Sequence, residues 1–239
     1  MSALTPDIRA KLENVSTATL TTLLFKRGFR NLFIHGVKAI TPKAKRLIGL
    51  AYTLRHIPAR EDIDTPEVFR DPEHPQRKAV ETMPQDHVLV MDCRQDVLAA
   101  SAGGILVTRL MRRGVAGLVS DGGIRDSGDI GAMAFPVFCA TPSAPANIIR
   151  HRTIDAGLPI SCGGVPVYPG DLLVGDDDGV VVVPAHLIAE IAKEACEMEI
   201  FERFVMERVQ AGDSIVGLYP PTHLETFEHF RVWRAENGV

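Results

Sequence analysis

Residues 87–127, HVLVMDCRQDVLAASAGGILVTRLMRRGVAGLVSDGGIRDS, decide the fold. HVLVMDC (87–93) is a short apolar run that reads as a strand. Gly103-Gly104 then opens ILVTRLMRRG, whose apolar and basic residues are spaced for a helix that ends at Gly114. VAGLVSD (115–121) is a second strand-like run, and FPVFCA (135–140) a third. Short apolar runs alternating with helical and turn signals predict a layered α/β architecture, although the order is not a regular strand-helix alternation along the whole chain.

The flanking segments support this. PDIRAKLENV (6–15) and VSTATLTTLLFKRGF (15–29) predict two N-terminal helices, the second capped by Ser16 or Thr17 and ending near Gly28. LIGLAYTLRHIP (47–58) reads as a strand. From Pro58 to Pro84 five prolines interrupt a polar stretch, which predicts a connection built around one short helix, with a surface lid as the other option. LPISCGGVPVYPGDLLVGDDDGVVVVP (158–184) predicts several strands separated by Gly-Gly, Pro-Gly-Asp and Asp-Gly turns. Residues 184–210 predict one long helix or two abutting ones. A tail with Pro220-Pro221 and the single Trp233 follows.

The chain has 239 residues, of which 46% are hydrophobic and 23% charged, and this is enough apolar material for one sizeable core. A net charge of −4 carries no electrostatic footprint for nucleic acid. No stretch approaches the ~20 apolar residues of a membrane span, and the N-terminus lacks the pattern of an export signal, so a cytoplasmic protein is expected. Cys93, Cys139, Cys162 and Cys196 are too scattered for a zinc site and are read as buried small apolar residues.

Two loops carry candidate chemistry. Gly103-Gly104 precedes a helix, whose free N–H groups suit an anion, although the pair alone reads first as a tight turn. SDGGIRDS begins 17 residues later, and if the flanking strands are neighbours both loops share one sheet edge, where open α/β sheets bind ligands. Arg125 suits a carboxylate. Asp126 offers hard oxygen to Mg²⁺ or Mn²⁺. Neighbouring side chains do not face each other on a strand or helix, so the two are expected to have separate targets. Asp121 is read as holding the turn. Asp176 to Asp178 lack the spacing of a calcium loop and are read as a hairpin turn. His56, His87 and His151 are read as packed histidines. The acidic run Glu194, Glu197, Glu199, Glu202 and Glu207 is read mainly as a solvated helix face.

Together these stretches resemble a known family. Gly103 to Leu106, followed by Asp121, Gly122, Arg125 and Asp126, with STATL (16–20), CGGVPVYPGDLLVGDDDGVVVVP and the late helix, is similar to the RraA-like family over residues 14–220, leaving 221–239 as a tail on one domain. That family includes the 4-hydroxy-4-methyl-2-oxoglutarate/4-carboxy-4-hydroxy-2-oxoadipate aldolases and the regulator of ribonuclease E activity. The resemblance implies a swivelling α/β/β sandwich with N-terminal helices and a long C-terminal helix, assembled as a homotrimer or a dimer of trimers. It implies a class II pyruvate aldolase, using Mg²⁺ or Mn²⁺, that cleaves 4-hydroxy-2-oxo acids and decarboxylates oxaloacetate. Arg125 would bind substrate and stabilise the enolate, and the backbone of Gly103, Gly104, Ile105 and Leu106 would receive the pyruvyl group. Asp126 would ligate the metal, with Glu202, or else Glu199, reaching a neighbouring subunit's metal. Many aldolase members have an acidic residue where this chain has Gly104. The alternatives are a regulator that binds a nuclease, or a lyase or dehydratase acting on a sugar-acid-derived 2-oxo acid.

Overall fold

The computed structural model describes residues 4–239. Two helices open it, α1 (Pro6–Leu12) and α2 (Thr17–Lys26), capped by the hydroxyls of Thr5 and Ser16. α1 stops short of the predicted Val15 because Ser16 must be extended (φ −70°, ψ 151°) to cap the next helix. The strands are β1 (Phe33–Ile34), β2 (Lys38–Ala39), β3 (Leu47–Pro58), β4 (His87–Asp92), β5 (Ala100–Ala102), β6 (Gly117–Ile124), β7 (Val137–Pro142), β8 (His151–Ala156), β9 (Ile160–Cys162), β10 (Val165–Val167), β11 (Leu172–Gly175) and β12 (Val180–Val183). Between them lie α3 (Pro75–Thr82), α4 (Gly104–Arg112) and α5 (Ser127–Gly131), and the chain ends with α6 (Ile188–Gln210) and α7 (Leu224–Asn237). The proline-rich stretch 58–84 is a connection holding α3 and one 3-10 turn, as expected.

One mixed sheet runs β1-β12-β11-β3-β4-β6-β7-β2, with β5 added beside β6 and β8 beside β3. Its centre, β3-β4-β6-β7, is parallel, and the outer pairings are antiparallel. Alternation along HVLVMDC explains the layers. Leu89 and Met91 face a core with Leu54, Val80, Met83, Val107, Leu110 and Ile130, beneath α3, α4 and α5. Val88 and Val90 face the other side, where the separate β9-β10 hairpin contributes Ile160, Cys162, Val165 and Val167. Helices, sheet and hairpin thus form three layers. α1, α2 and α6 pack over β3, β11 and β12 through Leu12, Leu20, Leu24, Ile48, Val174, Val181 and Ile191.

The two turn readings in the β-rich stretch hold. Asp176 to Gly179 close the β11-β12 hairpin, with Asp176 N–H donating to Gly179 C=O, and Gly170 turns at φ 87° before β11. Asp176 also accepts hydrogen bonds from Thr17 N–H and Oγ1 and pairs with Arg46, so it ties the hairpin to α2.

Three readings are refined or corrected by the structure. The tail is not a plain extension: α7 folds back on α6, and Phe201, Phe204, Phe230 and Trp233 form a ring cluster between them. The acidic run on α6 is a largely exposed face, as read, but its carboxylates are paired there. Glu194 pairs with Arg27, Glu197 with Arg234, and Glu207 accepts from Trp233 Nε1. Cys196 is only half-buried, and His87 is half-exposed, whereas the other cysteines and His56 and His151 are buried.

Candidate functional site

The two glycine-marked loops meet at one sheet edge. β5 lies parallel to the end of β6, with Ala100 opposite Gly123 and Ala102 opposite Ile124. α4 starts directly after β5, and Arg125 directly follows β6. Arg125 N–H donates to Ala102 C=O, and Gly104 N–H donates to Asp126 Oδ2 at 2.8 Å, so the loops are joined twice. The present arrangement of Arg125 and Asp126 needs a glycine at 103: a Cβ there would lie 2.8 Å from both Arg125 Nε and Asp126 Oδ2 and would displace them. At Gly104 the nearest atoms, those of Asp126, would be at an ordinary 3.5 Å.

The glycine pair after Asp121 does not make the turn. Gly122 and Gly123 lie inside β6. A Cβ on Gly122 would fall 2.6 Å from Cys93 Cβ, and one on Gly123 would fall 2.5 Å from Ser143 Cβ, so the pair permits two neighbouring loops to approach closely. The turn is made by Asp126, which is left-handed at φ 58°, a state that aspartate tolerates better than most residues. It also breaks the strand alternation, so Arg125 Nε and Asp126 Oδ2 come within 3.8 Å. That contact is longer than a hydrogen bond, but the neighbours do face each other, contrary to the expectation for a regular strand or helix.

A buried polar layer supports this edge. Asp121 is buried and accepts from the backbone N–H groups of Cys93, Gln95 and Gly163, holding the β4 loop and the β9-β10 turn rather than its own turn. Burial raises its carboxyl above the usual range, against the pull of these donors. Ser101 Oγ and Ser120 Oγ are 2.8 Å apart, and Cys93 Sγ lies 3.5 Å from Ser120 Oγ. Burial pushes the Cys93 thiol up to about 12, so it is no nucleophile. His56 donates from Nδ1 to Asp92 C=O at 2.9 Å, and burial lowers it to about 3, so it is neutral. Sequence reasoning missed this layer, because nothing in the spacing of Cys93, Ser101 and Ser120 marks them as neighbours.

What remains open at the edge is cationic. The Arg125 guanidinium forms no hydrogen bond among the described residues, and its side chain is 47% exposed. α4 has no side-chain cap. Val107 N–H is met by Gly103 C=O and Gly104 N–H by Asp126, which leaves the N–H groups of Ile105 and Leu106 without an acceptor among the described residues. A guanidinium beside two free N–H groups at a helix N-terminus suits a carboxylate. Next to it lies a depression of about 370 Å³ lined by Gly104, Ile105, Thr108, Asp126, Asp129 and Met133.

Glu202 is not part of this edge within one chain. It accepts from Tyr219 Oη at 2.8 Å and from Thr19 Oγ1 at 3.2 Å, in a groove between α2, α6 and the loop before α7. Glu199 accepts from Ser16 N–H at 2.6 Å and serves to cap α2. Among the described residues no three His, Cys, Asp or Glu side chains converge as a metal cage. The donor set fits only a hard cation held by one protein carboxylate, as Mg²⁺ accepts when water and substrate supply the other oxygens. Asp126, 44% exposed, is the carboxylate at this edge that would hold such a cation.

A family model described as RraA-like, Aldolase/RraA, matches residues 14–182. The chain belongs to the RraA-like family. A Halalkalibacterium halodurans relative that carries the provisional name 4-hydroxy-4-methyl-2-oxoglutarate aldolase is 38% identical over 135 residues, covering 55% of this RraA-like chain and 63% of the relative. Protein DlpA of Legionella pneumophila is 26% identical over 212 residues, which are 88% of this chain and 33% of that protein. The matched regions thus span less than two thirds of either relative. The crystal structure of Streptomyces coelicolor RraAS2, described as an unusual member of the RNase ES inhibitor RraA protein family, superposes with a TM-score of 0.73 at 30% identity, covering 84% of this chain and 96% of that one. The mixed sheet with its late helix is therefore the RraA fold. No helix among the described residues is long and apolar enough to cross a membrane.

Proposed function

We propose that this chain is a divalent-metal-dependent lyase that cleaves short 4-hydroxy-2-oxo acids to pyruvate and decarboxylates oxaloacetate at the same site. The observation that carries the reading is the half-exposed Arg125 guanidinium, which makes only a long 3.8 Å contact to Asp126, beside the N–H groups of Ile105 and Leu106 that lack an acceptor among the described residues.

In this reading Arg125 and the α4 N-terminus hold the substrate's 1-carboxylate, which brings the 2-oxo group beside Asp126. In aldol cleavage the 4-hydroxyl loses its proton and becomes a carbonyl. The C3–C4 bond pair moves into the enolate of pyruvate, which is then protonated at C3. Decarboxylation of oxaloacetate expels CO₂ and leaves the same enolate. Arg125 stabilises its developing charge without reorganising. Mg²⁺ or Mn²⁺ at Asp126 would supply Lewis acidity toward the keto oxygen. Asp126 meanwhile keeps Gly104 N–H engaged, which orients the carboxylate. Since Glu202 lies in a separate groove, its participation requires a second copy of the chain, as in a homotrimer or hexamer.

The test is pyruvate release from oxaloacetate and from 4-hydroxy-2-oxo acids with Mg²⁺, with Mn²⁺ and with EDTA. Metal-dependent release supports the lyase, and no release from any of them refutes it. A second reading, a protein that regulates a nuclease by binding it, draws on the likeness to Streptomyces coelicolor RraAS2. It gains only if lyase turnover is absent.

A further inference from the structure

We infer that Asp129 is the group that takes the 4-hydroxyl proton in aldol cleavage and returns it to C3 of the enolate, and that decarboxylation of oxaloacetate proceeds without it. This rests on the lyase reading above and assigns the proton transfers which that reading leaves open.

With the 1-carboxylate on Arg125 and the N–H groups of Ile105 and Leu106, the rest of the substrate extends past Asp126 into the depression beside α4. Gly104 and Thr108, one helical turn apart, form its α4 side, and Asp126, Asp129 and Met133 form the other. The 4-hydroxyl is two carbons beyond the 2-oxo group, so it lies in this depression. As C3–C4 breaks, C4 becomes a carbonyl, and with no acceptor it would leave as a protonated carbonyl, a very strong acid. A proton acceptor must therefore stand there. Ile105 and Met133 offer no base, and the Thr108 hydroxyl is too weak a one. Asp126 is engaged by Gly104 N–H and is the carboxylate turned to the cation. Asp129 remains. It is exposed, and its carboxylate accepts no hydrogen bond and forms no ion pair among the described residues. Its position also argues against a structural role. Asp129 is the third residue of α5 after the capping Asp126, where an acid commonly reaches back to the N–H of the capping residue. It makes no such bond.

The step closes without a co-reactant. The Asp129 carboxylate takes the hydroxyl proton, the O–H pair becomes the second C4–O bond, and the C3–C4 pair becomes the enolate. The neutral carboxyl then gives its proton to C3, which releases pyruvate and restores the carboxylate. In oxaloacetate no proton has to be removed before the bond breaks: CO₂ departs and C3 takes a proton from solvent. The two reactions thus share Arg125 and part at Asp129.

The test compares the full chain with its Asp129→Asn variant, which keeps the size of the side chain and removes the base. Pyruvate release is followed from 4-hydroxy-2-oxopentanoate, 4-hydroxy-4-methyl-2-oxoglutarate and oxaloacetate with Mg²⁺. Mn²⁺ affinity is read from the paramagnetic resonance of the free ion, and thermal melts confirm the fold. In Asp129→Asn, kcat for aldol cleavage should fall at least ~100-fold while kcat for oxaloacetate stays within about threefold. Its Mn²⁺ affinity should match the parent's, whereas Asp126→Asn should lose it. Equal losses in both reactions, or undiminished aldol cleavage, overturn the inference. Loss of Mn²⁺ affinity in Asp129→Asn also overturns it and makes Asp129 a holder of the cation. A parent protein that decarboxylates oxaloacetate but cleaves neither aldol overturns the inference alone. No turnover of any of the three by the parent removes the lyase reading and the inference with it.

Discussion

Replacing Gly103 by alanine should damage the site while leaving the fold intact, and replacing Gly104 should not. The added Cβ at residue 103 would sit 2.8 Å from Arg125 Nε and Asp126 Oδ2 and 2.9 Å from Arg125 Cγ. Both side chains are half-exposed, so they swing away rather than disrupting the core. Overpacking of this kind costs about 1–3 kcal/mol. If about 2 kcal/mol falls on the bound geometry, kcat/KM for oxaloacetate drops roughly 30-fold. At Gly104 the nearest approach is 3.5 Å, an ordinary contact, and alanine suits a helical first turn better than glycine. Gly104→Ala should therefore stay within about twofold of the parent in activity and melt no lower. Pyruvate release and thermal melts on both variants measure this. Equal loss in the two variants, or full activity in Gly103→Ala, would refute the close-approach argument.

Asp126→Asn should retain the fold, because asparagine tolerates the left-handed backbone and its carbonyl still accepts from Gly104 N–H. Turnover should fall at least ~100-fold, since the charge for a cation is lost, and a pyruvate-release assay beside a melt separates the two effects. Stability should decline as the pH falls from about 6.5 toward 3. The buried His56 is held neutral, its folded value about 3 lies below the unfolded one, and protonation therefore favours the unfolded chain. Urea titrations at pH 7 and 5 should show a difference of roughly 1–2 kcal/mol from this group. His56→Asn, which keeps a donor for Asp92 C=O, should shrink the pH slope, and an unchanged slope would contradict the assignment. Trp233→Ala should destabilise by about 2–3 kcal/mol in urea melts, because the ring packs 5.8 Å from Phe204 and 6.2 Å from Phe230. A loss under about 0.5 kcal/mol would mean that α7 is only loosely docked.

The parts of the fold that were legible in sequence were those set by local periodicity and turn chemistry. HVLVMDC announced a strand, Ser16 or Thr17 a helix start, and Asp178-Gly179 a hairpin tip. The short strands β1, β2, β5 and β8 were not legible, since each exists only through its pairing with a distant segment. α7 was hidden because its apolar residues meet a partner, α6, that periodicity in the tail does not reveal. At the candidate site, the meeting of Gly103-Gly104 with Arg125 and Asp126 followed from placing two loops at one edge. The role of Gly122-Gly123 did not, because a glycine pair that permits close packing looks the same in sequence as one that turns. The commitments of Glu199 to Ser16 N–H and of Glu202 to Tyr219 and Thr19 join residues far apart in the chain, and no spacing rule finds them.

The central claim is that Arg125 and the N-terminus of α4 together receive a 2-oxo acid carboxylate. The most direct measurement is the backbone amide spectrum of the Mg²⁺-loaded protein titrated with pyruvate. The account predicts that the Ile105 and Leu106 amide resonances shift with saturation and that Arg125→Ala abolishes the shift while the rest of the spectrum stays folded. Saturable pyruvate binding that leaves these two amides unmoved, or that survives Arg125→Ala, would contradict it.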